Sequence, residues 1–330
     1  MAEKIKWGIL GPGWIARKFA AGLKVVDDAE LFAVGSRNID NAEKFAREFN
    51  AQKTYGSYDE LVKDPDVDVI YVATPHVLHY EHTLLCLDNG KHVLCEKPFG
   101  MNGKQVRMMI SKAKEKNLFL MEAMWSRFLP NVIKAKEIID SGEIGNVKLL
   151  TANFSIKSDF PLEHRHFNKD LGGGALLDIG IYNVFLSLFL LGKPKSFKAA
   201  ASMGSTDVDF SIGILFKYDD EALSVLYSSF IAAADVVAEV HGETGKIVFD
   251  NFWFRPVNIK IVRSNGDVIP VPLQFKGNGY NYEAEEVVKC IKEGKTQSEL
   301  MSWDNSLELI DMLDSIRKET GIFYPEHDLY

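Results

Sequence analysis

Apolar residues follow two different rhythms along this chain, and the rhythm changes after Trp125. Up to about residue 122, short apolar runs alternate with stretches of helical spacing. The runs are Ile5 to Leu10, Leu31 to Gly35, Val67 to Ala73, Val93 to Cys95 and Leu118 to Met121. The helical stretches fall near residues 14–23, 41–49, 58–63, 78–88 and 103–116. Continuous apolar runs this short suit strands buried on both faces. Ser57-Tyr58-Asp59-Glu60 reads as a capping box, in which serine and glutamate satisfy free N–H groups of a first helical turn. Gly90 stands where a helix would end in a left-handed residue. Strands alternating with helices imply right-handed crossovers and a parallel sheet covered on both sides.

Beyond Trp125 the pattern predicts a helix over Asn131 to Ile139, closed by Ser141-Gly142, and a strand over Val147 to Ser155. A polar, irregular stretch from Lys157 to Asp170 precedes Gly172-Gly173-Gly174 and an apolar helix from about Ala175. Then β-rich runs follow one another: Ser196 to Met203, Val208 to Tyr218, Ala222 to Ile231, Val236 to His241, Lys246 to Phe249 and Asn258 to Val262. Their turns include Asp219-Asp220 and Gly242-Glu243-Thr244-Gly245, and so little helix between strands predicts a mostly antiparallel sheet. Helices over Tyr282 to Lys292 and Asp304 to Lys318 close the chain. The expected fold class is α/β: a doubly wound parallel sheet over residues 1–122, then an α/β domain with an open, mostly antiparallel sheet over residues 123–330. The β-rich region has too little helix to cover both faces, so its open face is expected to pair two copies in a homodimer.

Composition narrows the partners. At 330 residues the chain can bury a proper core, and 46% hydrophobic with 25% charged residues is ordinary for a globular protein. A formal net charge of -8 argues against general nucleic-acid or anionic-membrane binding. Cys86, Cys95 and Cys290 have no paired spacing and leave an odd thiol, which suits a reducing cytoplasm. Met1-Ala2-Glu3-Lys4 leads straight into a strand without an apolar leader. Ala175 to Leu191 approaches membrane-spanning length, but Asp178, Gly180 and Asn183 interrupt it, which predicts a buried helix.

The candidate chemistry sits at strand ends. Gly11-Pro12-Gly13-Trp14-Ile15-Ala16 follows the first strand and opens a helix. Gly11 permits the tight turn, Gly13 lets backbone approach a pyrophosphate, and the helix start offers N–H groups to negative charge. The second strand ends in Ser36-Arg37-Asn38, without the carboxylate that holds an NAD ribose. Arg37 and the Ser36 hydroxyl suit a 2′-phosphate, which favours NADP over NAD. Thr74-Pro75-His76 ends the next run, where it would meet the cofactor ribose. His76, His79 and His82 recur every three residues, yet no cysteine or carboxylate joins them at a metal-site spacing, so no metal is expected. Glu96-Lys97-Pro98 places a lysine at the same sheet edge, able to reach a reacting hydroxyl. Further on, Asp178 and Tyr182 stand four apart on an apolar helix and share a face. Buried polar groups need partners, which a substrate or the core itself would supply. Trp125, Phe154 and Trp253 suit either a core or an aromatic-lined pocket. The glycine loop and the lysine together point to a hydride-transferring enzyme.

These residues resemble the glucose–fructose oxidoreductase / inositol dehydrogenase family (Gfo/Idh/MocA). The matching pieces are Gly11-Pro12-Gly13 with Ala16, Thr74-Pro75 with His79, Gly90 to Val93 leading to Glu96-Lys97-Pro98, and Asp178 to Tyr182. Within the family, Tyr55 to Tyr58, Leu94 to Pro98, Phe119 to Ala123 with Trp125 and Arg127, and Gly173 to Tyr182 resemble the dihydrodiol dehydrogenase branch, which neighbours NADP-dependent xylose dehydrogenases. The resemblance implies a Rossmann domain followed by an α/β domain whose sheet pairs two subunits. It also implies NADP(H), catalytic Lys97 and Tyr182, and Trp125 and Phe154, with Arg127, around the substrate. Many sugar and inositol dehydrogenases have histidine where this chain has Tyr182, which favours the dihydrodiol branch.

The expected function is NADP-dependent hydride transfer at a secondary alcohol of a cyclic trans-diol or sugar. Tyr182 would take the hydroxyl proton, Lys97 would make the phenol more acidic, and Asp178 would hold substrate or orient the lysine. The cofactor would lie against Gly11, Gly13, Trp14, Ile15, Ser36, Arg37, Thr74, Pro75, His76, His79, Glu96 and Lys97. An NAD-dependent inositol or amino-sugar dehydrogenase is the second reading. A cofactor-sensing regulator is the third, though it would have no need of Lys97 and Tyr182 together.

Overall fold

The structure is a computed structural model that describes residues 4–219 and 221–329, so Asp220 of the expected Asp219-Asp220 turn and the first three residues lie outside it. The chain forms two compact units, and neither is a single stretch. The first runs to Phe128 and resumes over Phe275–Ile310; the second comprises Leu129–Gln274 and the residues from Asp311.

In the first unit the parallel strands are β1 (Ile5–Leu10), β2 (Ala29–Gly35), β3 (Lys53–Tyr55), β4 (Val69–Val72), β5 (His92–Glu96) and β6 (Leu120–Ala123), all but β3 formed from the apolar runs. Among the described residues they make one six-stranded sheet in the order β3-β2-β1-β4-β5-β6. The order reverses between β1 and β4, and in open α/β sheets that switch point opens the crevice where ligands bind. The helices between them are α1 (Trp14–Leu23), α2 (Ile39–Phe49), α3 (Tyr58–Val62), α4 (His79–Asp88) and α5 (Gly103–Lys116). Ser57 caps α3 as its sequence implies, its Oγ accepting from Glu60 N at 3.2 Å, a contact worth about 1 kcal/mol. Gly90 takes φ +74° after α4. β3 is a three-residue edge strand with every residue half-buried, so it carries no apolar run and the sequence pattern does not reveal it.

The second unit begins with α6 (Pro130–Asp140) and β7 (Val147–Ser155). The apolar helix starts with a wide π turn over Leu176–Gly180 and continues as α7 (Ile181–Leu191). It is a core helix: 83% of its most apolar window is buried. β8 (Ser196–Met203), β9 (Asp209–Lys217), β10 (Leu223–Ser229), β11 (Ala238–Gly242), β12 (Gly245–Phe249), β13 (Ile259–Arg263) and β14 (Val268–Val271) complete the sheet. Its order is β14-β13-β12-β11-β7-β10-β9-β8 among the described residues, antiparallel except where β7 pairs with β10. β14 is an exposed edge strand containing Pro270, which hides it from the apolar pattern. On β9, Ile212, Ile214 and Phe216 are buried while Gly213, Leu215 and Lys217 are exposed, so one face is covered and one is open. After the sheet come α8 (Tyr280–Lys292), α9 (Trp303–Thr320) and α10 (Pro325–Asp328). The Tyr280–Lys292 helix packs with the first unit, although it follows the second sheet in sequence.

Candidate active site

The glycine loop occupies the switch point of the first sheet. Gly11 holds φ +94°, and a Cβ there would come within 2.9 Å of Thr74 Cγ2, so only glycine lets β1 and β4 approach this closely. At Gly13 a Cβ would meet nothing within 4 Å, which leaves room for a ligand against bare backbone. No side chain caps α1 and no acid lies in its first turn, so its leading N–H groups suit a pyrophosphate. Ile15 is half-buried. Trp14 is 66% exposed with the Lys18 ammonium 5.4 Å from its ring.

The end of β2 carries no carboxylate. Ser36 is buried, its Oγ accepting from Asn38 N at 3.2 Å. Arg37 reaches two residues the sequence pattern does not connect to it. It hydrogen-bonds Tyr58, whose hydroxyl burial pushes up and Arg37 pulls back. It also faces His82, which burial first and the Arg37 charge second hold down at about 4. His82 in turn lies 3.0 Å from Thr74 Oγ1, and its ring meets Tyr58 edge-on at 4.9 Å.

His76 is buried beside His79, which joins the ends of β4 and β5: Nε2 lies 2.9 Å from Thr74 O and Nδ1 2.8 Å from Pro98 O. Burial lowers the His79 pKa to about 4 against the pull of those carbonyls. Each of these imidazoles therefore has an organic partner, and no group of three metal-ligating side chains occurs among the described residues. Glu96 is buried, accepts the Tyr71 hydroxyl and accepts Lys97 N at 3.2 Å. The Lys97–Pro98 bond is cis, and Lys97 itself is half-buried. Beneath them Glu122 accepts Phe99 N at 3.1 Å, and burial lifts its carboxyl to about 7. From α8, the fully buried Glu283 is raised well above the carboxylate range by burial and by the Glu96 charge. Trp125 and Arg127 belong to this unit too. Trp125 stacks on Tyr280 at 4.2 Å and is 5% exposed. Burial pulls Arg127 down to about 10, with Glu286 opposing.

In the second unit Asp178 lies in the π turn and Tyr182 in the first turn of α7, both buried. Arg165 lies 3.2 Å and His166 Nε2 3.8 Å from Asp178 Oδ2, while Ser158 Oγ holds His166 Nδ1 at 3.0 Å. Tyr182 packs against Phe154 at 5.7 Å and Phe254 at 5.3 Å, and these two phenylalanines stack at 4.2 Å. Phe254 and Arg165 carry no motif that would have singled them out in the sequence. Trp253, left open there, is a core residue: it is 0% exposed and donates to Asn153 O at 3.1 Å. A surface hollow of about 560 Å3 lined by Asp140, Tyr218 and Glu243 contains none of the candidate residues.

A family model described as an oxidoreductase family with an NAD-binding Rossmann fold matches residues 5–124, and one for the GFO/IDH/MocA C-terminal domain matches residues 132–248. The chain belongs to the GFO/IDH/MocA oxidoreductase family. The trans-1,2-dihydrobenzene-1,2-diol dehydrogenase of Xenopus laevis is 39% identical over 97% of this chain and 99% of its own length. The D-xylose 1-dehydrogenase (NADP(+)) of Hypocrea jecorina is 35% identical, covering 98% of this chain and 93% of its own. A 3-ketoreductase from Actinomadura kijaniata, solved with NADP and TDP-benzene, is 26% identical with a TM-score of 0.88, covering 96% of this chain and 98% of its own. Like the family, this chain is a nicotinamide-dependent dehydrogenase acting on alcohol groups.

The Glu122 carboxyl gives a stability test. Its value is raised from 4.5 to about 7, so the native state holds the proton more tightly and loses stability as pH rises through that window. Glu122→Gln should remove about 3 kcal/mol of that decline. Urea unfolding at a series of pH values reads it, and an unchanged slope in the variant contradicts the assignment.

Proposed function

We propose that this dehydrogenase uses NADP(H) to interconvert a secondary alcohol and a carbonyl on a cyclic trans-diol or a sugar ring. The observation that carries the reading is the second-unit cluster: Tyr182 and Asp178 on one helical segment, with the stacked Phe154–Phe254 pair against the tyrosine ring. A flat aromatic wall beside a phenol and a carboxylate suits a ring that carries neighbouring hydroxyls. The dihydrobenzenediol and xylose dehydrogenases among its relatives act on such rings. Residues up to about 122 would form the cofactor domain, and residues 123–330 the substrate and dimerisation domain.

Gly11, Gly13, Trp14 and Ile15 would hold the pyrophosphate, with Ser36 and Arg37 on the 2′-phosphate. Thr74, Pro75, His76, His79, Glu96 and Lys97 would line the nicotinamide end. When bound, that group supplies or accepts the hydride. Tyr182 takes the hydroxyl proton in oxidation and returns it in reduction. A free phenol titrates near 10, so the Lys97 ammonium is needed to favour the phenolate near neutral pH. Asp178 holds a substrate hydroxyl, which requires Arg165 to release or share it. Trp125 and Arg127 complete the substrate's surroundings.

The open sheet face supports a homodimer. Val225 lies opposite Leu215, both 41% exposed, with the exposed Tyr227 two residues along β10. Cys86, Cys95 and Cys290 are buried, unbridged thiols, which suits the cytoplasm.

Three measurements test this reading. A charge-assisted contact is worth roughly 1.5–3 kcal/mol, so Arg37→Ala should weaken NADPH about 10- to 100-fold and leave NADH nearly unchanged. Fluorescence titration reads both, and equal losses would overturn the NADP assignment. A nicotinamide absorbance assay over diols, pentoses and hexoses gives the substrate. With the best of them, Tyr182→Phe should lower kcat by about 10²- to 10⁴-fold with NADPH affinity little changed. Lys97→Met should also cripple turnover, and the double variant should be scarcely worse than the poorer single one. Near wild-type turnover in Tyr182→Phe would place the base elsewhere. Finally, light scattering should report about twice the 37.1 kDa chain mass; a strict monomer refutes the dimer.

A further inference from the structure

Gly174, the last glycine ahead of the helix that carries Asp178 and Tyr182, is explained by a residue that no motif contains. Asp209 opens β9 and is 0% exposed. Its Oδ2 accepts the N–H of Leu176 at 2.6 Å, where the π turn begins. A Cβ on Gly174 would stand 2.2 Å from Asp209 Oδ1, and Gly174 holds φ +123°, so this position admits the carboxyl only as glycine. The preceding backbone is tied as well. Gly173 N donates to Asn168 O at 2.8 Å, Gly174 N donates to His166 O at 2.9 Å, and Gly173 O accepts the Tyr324 hydroxyl at 2.6 Å. Hence the loop that brings Arg165 and His166 to Asp178 is fastened to the same few residues as the helix start.

We propose that Asp209 is a positioning residue for the reaction, its carboxyl anchoring the first turn of the helix and so fixing where Asp178 and Tyr182 stand. The proposal rests on Tyr182 being the proton-transferring group. Leu176, which Asp209 holds, precedes Asp178 by two residues and Tyr182 by six, within two turns. An error at the anchor is therefore carried to both side chains, and misplacement by about 1 Å can cost roughly 100-fold in rate.

The charges around the anchor are few. Burial raises the Asp209 carboxyl to about 7, against the N–H groups of Leu176 and Ala175 and the Arg317 guanidinium on α9. Arg317 is itself shared with Asp314 at 3.1 Å and with Asp328, and the Tyr324 ring lies beneath it. Because the carboxyl is raised from 3.8, its contribution to stability is lost as pH rises toward 7.

The test compares wild type with Asp209→Ala, Asp209→Asn and Gly174→Ala. Asp209→Ala should lower kcat about 10- to 100-fold, with fluorescence-measured cofactor affinity unchanged, because the glycine loop lies in the other unit. Asn keeps an oxygen for the Leu176 N–H and should recover most of kcat, while Gly174→Ala, which displaces the carboxyl, should reproduce the loss. A folded Asp209→Ala with wild-type kcat, or an Asn variant no better than Ala, overturns the proposal. If Asp209→Ala does not fold, hydrogen exchange at the Leu176 amide, whose N–H Asp209 Oδ2 accepts at 2.6 Å, decides between Asp209→Asn and Gly174→Ala. Wild-type protection in Asn with loss of protection in Gly174→Ala supports the anchor, and wild-type protection in both overturns it. Tyr182→Phe at near wild-type turnover would strike the assignment of the base and not the anchoring, which exchange at the Leu176 amide reads by itself.

Discussion

The close approach of β1 and β4 is the constraint on which the first unit depends. These strands are neighbours in register from Trp7–Val69 to Leu10–Val72, yet their connections leave toward opposite sides of the sheet. Their ends must separate to leave a crevice, and Gly11 against Thr74 sets how little they do so. Contacts then pass sideways from that point. Thr74 is fixed to His82 and His79, His79 reaches the Pro98 carbonyl, and Tyr71 holds Glu96 one strand over. Lys97 thus stands on a turn whose position is set by contacts across three strands.

In the second unit the demand is different: polar side chains on a mostly apolar helix must all find partners. Asn183 donates to Tyr227 O and to Ser228 Oγ on β10 at 3.0 and 2.9 Å. Ser187 bonds Tyr218 and Ser224, both at 2.7 Å. These two residues face the sheet, which satisfies the Ser187 hydroxyl and the Asn183 NH2 and leaves Asn183 Oδ1 buried without a partner. Asp178 instead meets Arg165 and His166, side chains of an irregular loop, and Arg165 is nearly half-exposed. A buried amide or hydroxyl bonded to a strand stays where it is; a carboxylate paired with a half-exposed loop arginine is held less firmly.

Much of this was legible in the sequence because it is local. The limits of α1 and α5, the Ser57 cap and the left-handed Gly90 each follow from a few adjacent residues. The open, mostly antiparallel second sheet follows from alternating runs with short turns. What stayed hidden is contact at long separation. Arg37 with Tyr58 and His82 spans strand end, helix and helix, and Phe254 meets Tyr182 across 72 residues of chain. Trp125 stacking on Tyr280 is of the same kind, as is the anchoring of Leu176 by Asp209. The wide turn at Leu176–Gly180 was invisible for another reason: α and π turns draw on the same apolar residues, and only the hydrogen-bond partner differs.

The return of residues 275–310 to the first unit has a consequence for how the protein is made. β6 is the last strand of its sheet, and its free edge is occupied from that late segment: Leu120 N donates to Thr296 O at 3.0 Å, and Trp303 Nε1 donates to Leu120 O at 2.9 Å. Tyr280 from the same segment covers Trp125. On the ribosome, therefore, the nucleotide-binding sheet emerges first but keeps one strand edge and one indole uncovered while the whole eight-stranded sheet is synthesised. The earlier half waits for the later one, so an isolated fragment ending near residue 128 would not be a finished domain but a template for strand pairing.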